Sequence, residues 1–218
     1  MVAIVPIRSG SKGIIDKNIK FINGQPLIWW VLNSLQNSNV DKIIVATDEV
    51  YAELISDFDF SKVELYERDP KNATDYATTE SVLIEVINNL NIEDDILLAQ
   101  ATSPLTTSDD FNGGIELYKK YDSILSVVNQ KRFIWDSKGM SVNYNYKNRP
   151  RRQDWDGYFV ENGAFYISNY ARILESENRI SGHIGLYEMD EKTYYELDSD
   201  RDWETKYPSQ SCLLGLFL

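Results

Sequence analysis

The chain has 218 residues, which suits one α/β domain with a substantial core better than two independent domains. Its formal net charge is −12 at pH 7, and a surface this acidic repels nucleic acid and anionic membranes. A single Cys212 and a single His183 exclude an internal disulfide and a histidine-rich metal site. Because no segment approaches the roughly 20 apolar residues that span a bilayer, and the start lacks the features of a signal peptide, we expect a cytoplasmic protein.

Segments with strand and helix patterns alternate from the start of the chain to about residue 128. Apolar runs typical of strands occur at 2–5, 42–47, 63–66, 95–100 and 123–128. Helical spacing occurs at 27–38, 48–55, 78–90 and 109–121. This alternation predicts a parallel sheet covered by helices on both faces, with ligands bound beyond the carboxyl ends of the strands.

The alternation stops at the segment 132–157, which is polar and aromatic and has no clear period. Five aromatic residues between Phe133 and Trp155 argue against disorder. We therefore expect this excursion, taken as residues 132–160, to pack on a second copy of the chain. Strand character returns at 164–167.

The motif Arg8-Ser9-Gly10-Ser11-Lys12-Gly13 follows the first strand directly. Its glycines and small residues let backbone N–H groups turn towards a phosphate, while Arg8 and Lys12 would neutralise the charge. Lys17 and Asn18 follow closely and are placed to contact a triphosphate and a nucleoside. The motif is neither a Walker A sequence nor a dinucleotide-binding Gly-x-Gly-x-x-Gly, and a glycine-rich turn with solvated lysines is the alternative.

Two further motifs carry polar side chains that suit a ligand. Gln100 begins Gln-Ala-Thr-Ser-Pro-Leu at the end of a strand and offers a donor and an acceptor to a base edge or a sugar hydroxyl, although the motif is also a plain turn. Arg149, Arg151 and Arg152 lie within four positions, and arginine forks pair with carboxylate or phosphate. An intersubunit salt-bridge network is the alternative for these arginines.

Glu196 and Asp198 are two residues apart, so in a strand both carboxylates face the same side. Converging carboxylates repel each other unless a cation lies between them, and Mg²⁺ takes one or two carboxylates together with substrate phosphates. The nearby Asp200 and Asp202 leave a solvated acidic face as the alternative.

Four segments carry a resemblance to a known family; in chain order they are IVPIRSGSKGIIDKNIK, QATSPL, RPRRQDWDGYFVENGAFYI and ELDSDRDW. Because these segments match in order and in content, the chain resembles the N-acylneuraminate cytidylyltransferases (CMP-sialic acid synthetases). The resemblance implies one domain over residues 1–218, with a nucleotide-diphospho-sugar transferase-like (Rossmann-like) α/β sheet flanked by helices and with the excursion as a dimerisation element. The implied reaction is carried out by a homodimer, uses Mg²⁺, joins CTP to a sialic acid and releases pyrophosphate.

The resemblance also implies roles for individual residues. The implied nucleotide-binding positions are Arg8, Ser9, Gly10, Ser11, Lys12, Gly13, Asn18, Arg68, Asp75, Thr78, Thr79 and Gln100. The implied sugar-binding positions are Gln100, Ser103, Arg151, Glu161 and Asn162, with Arg151 near the sugar carboxylate. The implied catalytic positions are Arg8, Lys12, Lys17 and Arg151. Glu196 and Asp198 match the Mg²⁺-binding pair, with Glu196 where some relatives have Asp.

The chain departs from the family pattern in two places. Ala101 stands where Pro is usual, and the apolar end CLLGLFL stands where a polar helix usually continues after Trp203. The alternatives for function are the same reaction on legionaminic, pseudaminic or another nine-carbon acid, and a non-catalytic nucleotide-binding protein on the same fold. The retained motif residues favour an enzyme, and the Arg-Pro-Arg-Arg-Gln segment argues against a Kdo-type substrate.

Overall fold

A computed structural model of the chain describes residues 1–10, 14–74 and 76–194. Its strands are β1 (Val2–Pro6), β2 (Phe21–Ile22), β3 (Gln25–Pro26), β4 (Lys42–Thr47), β5 (Val63–Glu67), β6 (Asp95–Ala99), β7 (Ser123–Gln130), β8 (Tyr158–Asn169) and β9 (Ile184–Met189). Its α-helices are α1 (Leu27–Gln36), α2 (Glu49–Ser56), α3 (Thr79–Asn89), α4 (Ser108–Tyr118) and α5 (Tyr170–Ser176). The predicted strands and helices up to β7 are confirmed, with ends that shift by a few residues.

The main sheet of the described residues has seven strands in the order β5-β4-β1-β6-β8-β7-β9. β1 pairs in parallel with β4 and β6, and β4 pairs in parallel with β5. The strands predicted from the alternation, β1, β4, β5, β6 and β7, all run in the same direction, and β8 runs antiparallel to its neighbours β6 and β7. The reason is the connection between β7 and β8: the excursion contains no α-helix in its described residues 132–160 that could carry the chain back for a parallel crossover.

The core lies on both faces of this sheet. α1, α2 and α4 cover one face, and α3 and α5 cover the other. The consecutive residues Phe165 and Tyr166 of β8 belong to opposite clusters, because side chains alternate along a strand. Val82 and Val86, about one helical turn apart, are buried, whereas Leu90 lies past the end of α3 and is exposed. Helices therefore cover both faces of the sheet, as the alternation of strands and helices predicts.

The carboxyl ends of β1, β4, β5 and β6 meet at one edge of the sheet, because these strands are parallel. The backbone ladder continues briefly past the strands at this edge. Ile7 N–H donates to the Ala46 carbonyl at 3.0 Å, and Arg68 N–H donates to the Thr47 carbonyl at 2.9 Å. The segments that follow β1 and β5 are thus held on either side of the end of β4, at the edge where ligands bind in open α/β sheets.

The excursion is ordered by its own aromatic rings. The ring centroids of Phe133 and Tyr144 are 4.2 Å apart, and those of Phe133 and Trp155 are 5.4 Å apart. Met140 and Val142 nevertheless remain 62% and 63% exposed. The excursion thus combines a packed interior with an apolar outer surface. Among the residues that the structure describes, no helix is long and apolar enough to cross a membrane.

Candidate functional site

A polar hollow opens at the carboxyl edge of β1 and β6. We call it the central hollow; it is lined by Pro6, Ile7, Arg8, Lys17, Asn18, Arg68, Ala77, Thr78, Thr79, Val82, Gln100, Ala101 and Thr102. The structure therefore brings together seven of the residues predicted to bind or act on a nucleotide: Arg8, Lys17, Asn18, Arg68, Thr78, Thr79 and Gln100. These residues follow β1, β5 and β6 in the chain, and they meet because the carboxyl ends of these strands lie at the same edge of the sheet.

The loop after β1 is fixed to the sheet by a carboxylate. Asp48, the residue directly after β4, accepts hydrogen bonds at one oxygen from the Ser9 backbone N–H at 2.7 Å and from the Ser9 hydroxyl at 2.8 Å. Gly10 has a φ of 67°, which its missing Cβ makes accessible. Arg8 lines the central hollow, whereas Ser9 and Gly10 do not. Asp48 was missed by the sequence analysis, although its position after a strand was a usable signal.

Asn18 and Lys17 reach the central hollow from a short 3-10 turn. The Asn18 side-chain amide donates to the Arg8 carbonyl at 3.2 Å, and Asn18 is buried. This contact ties the turn Lys17–Ile19 to the end of β1. The segments that contain Arg8 and Lys17 therefore form one wall of the hollow.

Arg68 is the most buried charged group in the wall of the central hollow, with 7% of its surface exposed. One terminal nitrogen of its guanidinium donates to the Ile7 carbonyl at 2.9 Å, and the other donates to the Asn72 carbonyl. Burial lowers the pKa of Arg68, and the carboxylate of Glu85 counteracts this effect. Two neutral carbonyls thus orient the guanidinium while leaving its positive charge in the hollow.

The motif that begins with Gln100 is both a turn and part of the wall. Ser103 N–H donates to the Gln100 carbonyl at 3.2 Å, and Thr106 N–H donates to the Ser103 carbonyl at 3.2 Å. Gln100 lines the central hollow, while Ser103 is 4% exposed and does not line it. The motif therefore forms a turn and also places Gln100 where it can contact a ligand.

The start of α3 closes the opposite side of the central hollow. The Thr78 hydroxyl accepts the Ser81 N–H at 3.1 Å and caps the helix. Thr78 and Thr79 both line the hollow, so the positive end of the helix dipole lies at its wall. Such an end favours an anionic ligand.

Two predicted sugar-binding residues lie apart from the central hollow. Asn162 is 1% exposed, and its amide donates to the Thr193 hydroxyl at 3.0 Å. Glu161 accepts a hydrogen bond from the Tyr166 hydroxyl. Burial and the neighbouring Glu161 carboxylate raise the pKa of Tyr166. Asn162 is thus held inside the protein.

Arg151 lies in a second hollow within the excursion. We call this hollow the basic cradle; it is lined by Lys131, Arg132, Phe133, Arg149, Pro150, Arg151 and Arg152. Arg151 pairs with Asp154 at 2.6 Å, and the Arg149 guanidinium lies 4.4 Å from the centre of the Phe133 ring. The basic cradle shares no lining residue with the central hollow. Within one chain, therefore, Arg151 is not brought to the predicted nucleotide site.

Several predicted site residues lie outside the described residues. They are Ser11, Lys12 and Gly13 in the loop after β1, Asp75 before α3, and Glu196 and Asp198 near the end of the chain. Within residues 1–10, 14–74 and 76–194, no group of three or more His, Cys, Asp or Glu residues could hold a metal ion. The predicted Mg²⁺ pair accordingly stays a prediction from the sequence.

Comparison with known proteins bears on the family and the fold. A family model described as cytidylyltransferase matches residues 2–217. The N-acylneuraminate cytidylyltransferase B of Danio rerio is 36% identical over 210 residues, which cover 92% of this chain and 49% of that protein. The N-acylneuraminate cytidylyltransferase of Streptococcus agalactiae serotype V is 28% identical over 93% of this chain and 51% of that protein. The chain thus spans about half the length of these curated relatives.

Two further matches extend over almost the full length of both proteins compared. The pseudaminic acid cytidylyltransferase of Campylobacter jejuni is 26% identical over 92% of this chain and 92% of that protein. A solved CMP-2-keto-3-deoxy-manno-octonic acid synthetase complexed with CTP matches with a TM-score of 0.70 and 14% identity over 98% of both chains. This likeness confirms the predicted nucleotide-diphospho-sugar transferase-like α/β fold. Since the family model spans nearly every residue and the named relatives agree with it, the chain belongs to the cytidylyltransferase family.

Proposed function

We propose that the chain transfers the CMP group of CTP to N-acylneuraminate, giving CMP-N-acylneuraminate and pyrophosphate. The observation that carries this proposal is the composition of the central hollow. It gathers Arg8, Lys17 and Arg68, together with Gln100 and the start of α3, in a chain whose net charge is −12. Positive charge concentrated in one hollow of an acidic protein suits a polyanionic nucleotide.

The proposed arrangement divides the central hollow between the parts of CTP. Arg8 and Lys17 line the hollow and would contact the phosphates, together with Lys12, which lies outside the described residues. The remaining polar residues of the hollow would contact the ribose and the cytosine; they are Asn18, Arg68, Thr78, Thr79 and Gln100, with Asp75. Gln100 can donate and accept at once, as recognition of a base edge requires.

The proposed reaction is an in-line displacement at the α-phosphorus of CTP. The anomeric hydroxyl of the sugar attacks, the new P–O bond forms as the bond to the bridging oxygen breaks, and pyrophosphate departs. Arg8 and Lys17 offset the charge that develops on the departing oxygens, and positioning supplies much of the rate. Glu196 and Asp198 are hard oxygen donors that suit Mg²⁺, which when bound would neutralise phosphate charge and lower the pKa of the attacking hydroxyl.

The sugar acid is proposed to be recognised through its carboxylate. Arg151 offers a guanidinium fork for that group, but it lies in the basic cradle and not in the central hollow of the same chain. We therefore propose a cytoplasmic homodimer in which the excursion packs on a second copy. The exposed Met140 and Val142 supply apolar surface for that contact. A monomer in light scattering at micromolar concentration would contradict this assembly.

A second candidate is the same reaction on pseudaminic acid or another nine-carbon acid. The observation in its favour is the relative named pseudaminic acid cytidylyltransferase, which matches over 92% of both chains. Several relatives named N-acylneuraminate cytidylyltransferase are more similar in sequence, such as the Danio rerio protein at 36% identity. The first candidate is therefore preferred.

The deciding experiment measures pyrophosphate release from CTP and Mg²⁺, with N-acetylneuraminate, legionaminate, pseudaminate and Kdo supplied separately. Pyrophosphate release with N-acetylneuraminate alone supports the proposal. Release with one of the other acids alone identifies that acid as the substrate instead. CTP binding without release from any of the four acids would favour a non-catalytic nucleotide-binding protein.

A matched pair of variants connects the activity to the central hollow. Lys17→Met removes a cation that lines the hollow, and we expect kcat to fall by about 10²-fold. Lys42→Met removes the same charge at the amino end of β4, where Lys42 pairs with Glu64 at 2.8 Å, and should leave kcat unchanged. Equal losses in both variants would show that the hollow is not the site of the reaction.

A further inference from the structure

A buried carboxylate on α3 is surrounded by donors from the segment that precedes the helix. Glu85 is 9% exposed. One of its oxygens accepts the Tyr66 hydroxyl at 2.8 Å and the Asp69 backbone N–H at 2.7 Å. Its other oxygen accepts the side-chain amide of Asn72. Three donors on one buried carboxylate fix the path of residues 66–72 against the helix.

Asn72 joins Glu85 to the wall of the central hollow. While the Asn72 side chain donates to Glu85, the Asn72 carbonyl accepts a hydrogen bond from the Arg68 guanidinium. The Asn72 N–H also donates to the Asp69 carbonyl at 2.8 Å, so two of the three residues that donate to Glu85 brace each other. Glu85 does not line the central hollow, whereas Arg68 does. Its influence on a ligand in the hollow would therefore pass through Asn72 to Arg68.

Glu85 also supplies a negative charge near a cation that is poorly solvated. Burial lowers the pKa of Arg68, and the positive charge of Arg8 does so too, while Glu85 and Asp48 raise it. Because Glu85 acts through Asn72 and not by direct pairing, it balances the buried guanidinium without occupying its donors. Removing this carboxylate would both loosen Asn72 and leave the Arg68 charge less compensated.

We infer that Glu85 is a positioning residue for nucleotide binding, which holds Asn72 and thereby keeps the Arg68 guanidinium at the wall of the central hollow. This inference rests on the proposed function, since it takes CTP as the ligand of the hollow. It assigns to Glu85 an effect on the affinity for CTP and not on the chemical step, because Glu85 touches neither the hollow nor the reacting groups.

The test begins with Glu85→Gln. Its amide oxygen can still accept from Tyr66 and Asp69, but its NH₂ group would face the NH₂ group of Asn72, so that contact is lost. We expect the Kd and the KM for CTP to rise about tenfold, the size of one lost hydrogen bond to a charged group, with kcat within about twofold. Tyr66→Phe is the matched control, because it removes a different donor from the same carboxylate and leaves Asn72 and Arg68 in place.

A compensating change separates positioning from general stability. A double variant that combines Glu85→Gln with Asn72→Asp exchanges donor and acceptor, so the amide introduced at position 85 can donate to the carboxylate introduced at position 72. We expect this double variant to recover CTP affinity to within about threefold of wild type. Asn72→Asp alone places two carboxylates in contact, so it should lose the contact and not recover the affinity. Thermal unfolding midpoints measured alongside record any loss of stability.

Binding is measured by calorimetry with CTP alone, and turnover is measured separately. Unchanged CTP affinity in Glu85→Gln overturns the inference, and so do equal affinity losses in Glu85→Gln and Tyr66→Phe. If Glu85→Gln fails to fold, Asn72→Ala breaks the same contact from the other side and is expected to weaken CTP binding in the same way. If the wild-type chain binds CTP but turns over no sugar acid, the proposed reaction is refuted. The ratio of the CTP affinities of wild type and Glu85→Gln then still decides the role of Glu85. Wild-type chain that does not bind CTP overturns both.

Discussion

The ion pair between Arg179 and Glu80 offers a quantitative test of how the start of α3 is held. Arg179 Nε lies 2.5 Å from a Glu80 carboxylate oxygen, and the two side chains are 21% and 22% exposed. The same guanidinium lies 4.9 Å from the centre of the Tyr166 ring. Exposed pairs contribute about 0.2–1 kcal/mol, and breaking a buried pair costs about 3–5 kcal/mol. At this intermediate burial, we expect Arg179→Met to lower the free energy of unfolding by about 2 kcal/mol.

The assay is urea unfolding at pH 7, followed by tryptophan fluorescence, in a double-mutant cycle with Glu80→Gln. Methionine keeps an apolar stem over the Tyr166 ring, so the cycle isolates the ion pair. We expect a coupling energy of about 1–2 kcal/mol with an unchanged denaturant dependence. A coupling energy below about 0.3 kcal/mol would refute this reasoning, because the pair would then behave as a solvated one.

The pH dependence of the same pair gives an independent check. Burial alone would raise the pKa of Glu80, but the hydrogen bond and charge of Arg179 outweigh it and lower that pKa. A carboxyl whose pKa is depressed by folding contributes stability that is complete above its unfolded value of about 4.3 and is lost as the pH falls through the folded value. The stability gap between wild type and Glu80→Gln should therefore narrow below about pH 4.3. A gap that stays constant down to about pH 3 would contradict the role given to the charge.

Three further changes test separate parts of the structure. Gly114→Ala places a Cβ against the Phe165 ring, so we expect urea unfolding to show a loss of about 1–3 kcal/mol despite the better helix propensity of alanine; a stabilised variant would show that α4 can move away. Asp48→Ala releases both Ser9 donors, and calorimetry should show CTP affinity reduced by about three- to tenfold, whereas unchanged affinity would mean that the loop needs no anchor. Asp198→Ala should abolish Mg²⁺-dependent turnover with an unchanged thermal midpoint, and full activity would remove the metal assignment.

The fold was predictable where local pattern decides it. The apolar runs of β1, β4, β6 and β7 and the spacing of Val82 and Val86 are visible in the sequence, because burial on a sheet or a helix face imposes a period. The direction of β8 was not visible, since a strand has the same pattern in either direction. β9 was also missed: its apolar residues Ile184 and Leu186 are exposed while Gly185 and Met189 are buried, so its apolar residues do not mark a buried face.

The candidate site was predictable where a polar residue directly follows a strand. Arg8 and Gln100 were found in this way, and both line the central hollow. Arg68 follows β5 but was reached only through the family resemblance, because β5 itself is weakly apolar. Asp48 directly follows β4 and carried the same signal, but its partner Ser9 lies 39 residues away; Glu85 was missed because its partner Asn72 lies 13 residues away in the chain. No local motif records such contacts.

The handling of charge explains how so acidic a chain can offer a site to an anion. At physiological salt, charges farther away than about 8 Å are largely screened, so the net charge of −12 matters less than the groups within the hollow. Arg68 is oriented there by the carbonyls of Ile7 and Asn72, which are dipoles and not countercharges. The carboxylate that balances its burial, Glu85, stands one residue further away. A direct ion pair would have fixed Arg68 equally well but would have consumed its charge and its donors. Orientation by carbonyls and compensation from a distance leave that charge to the ligand.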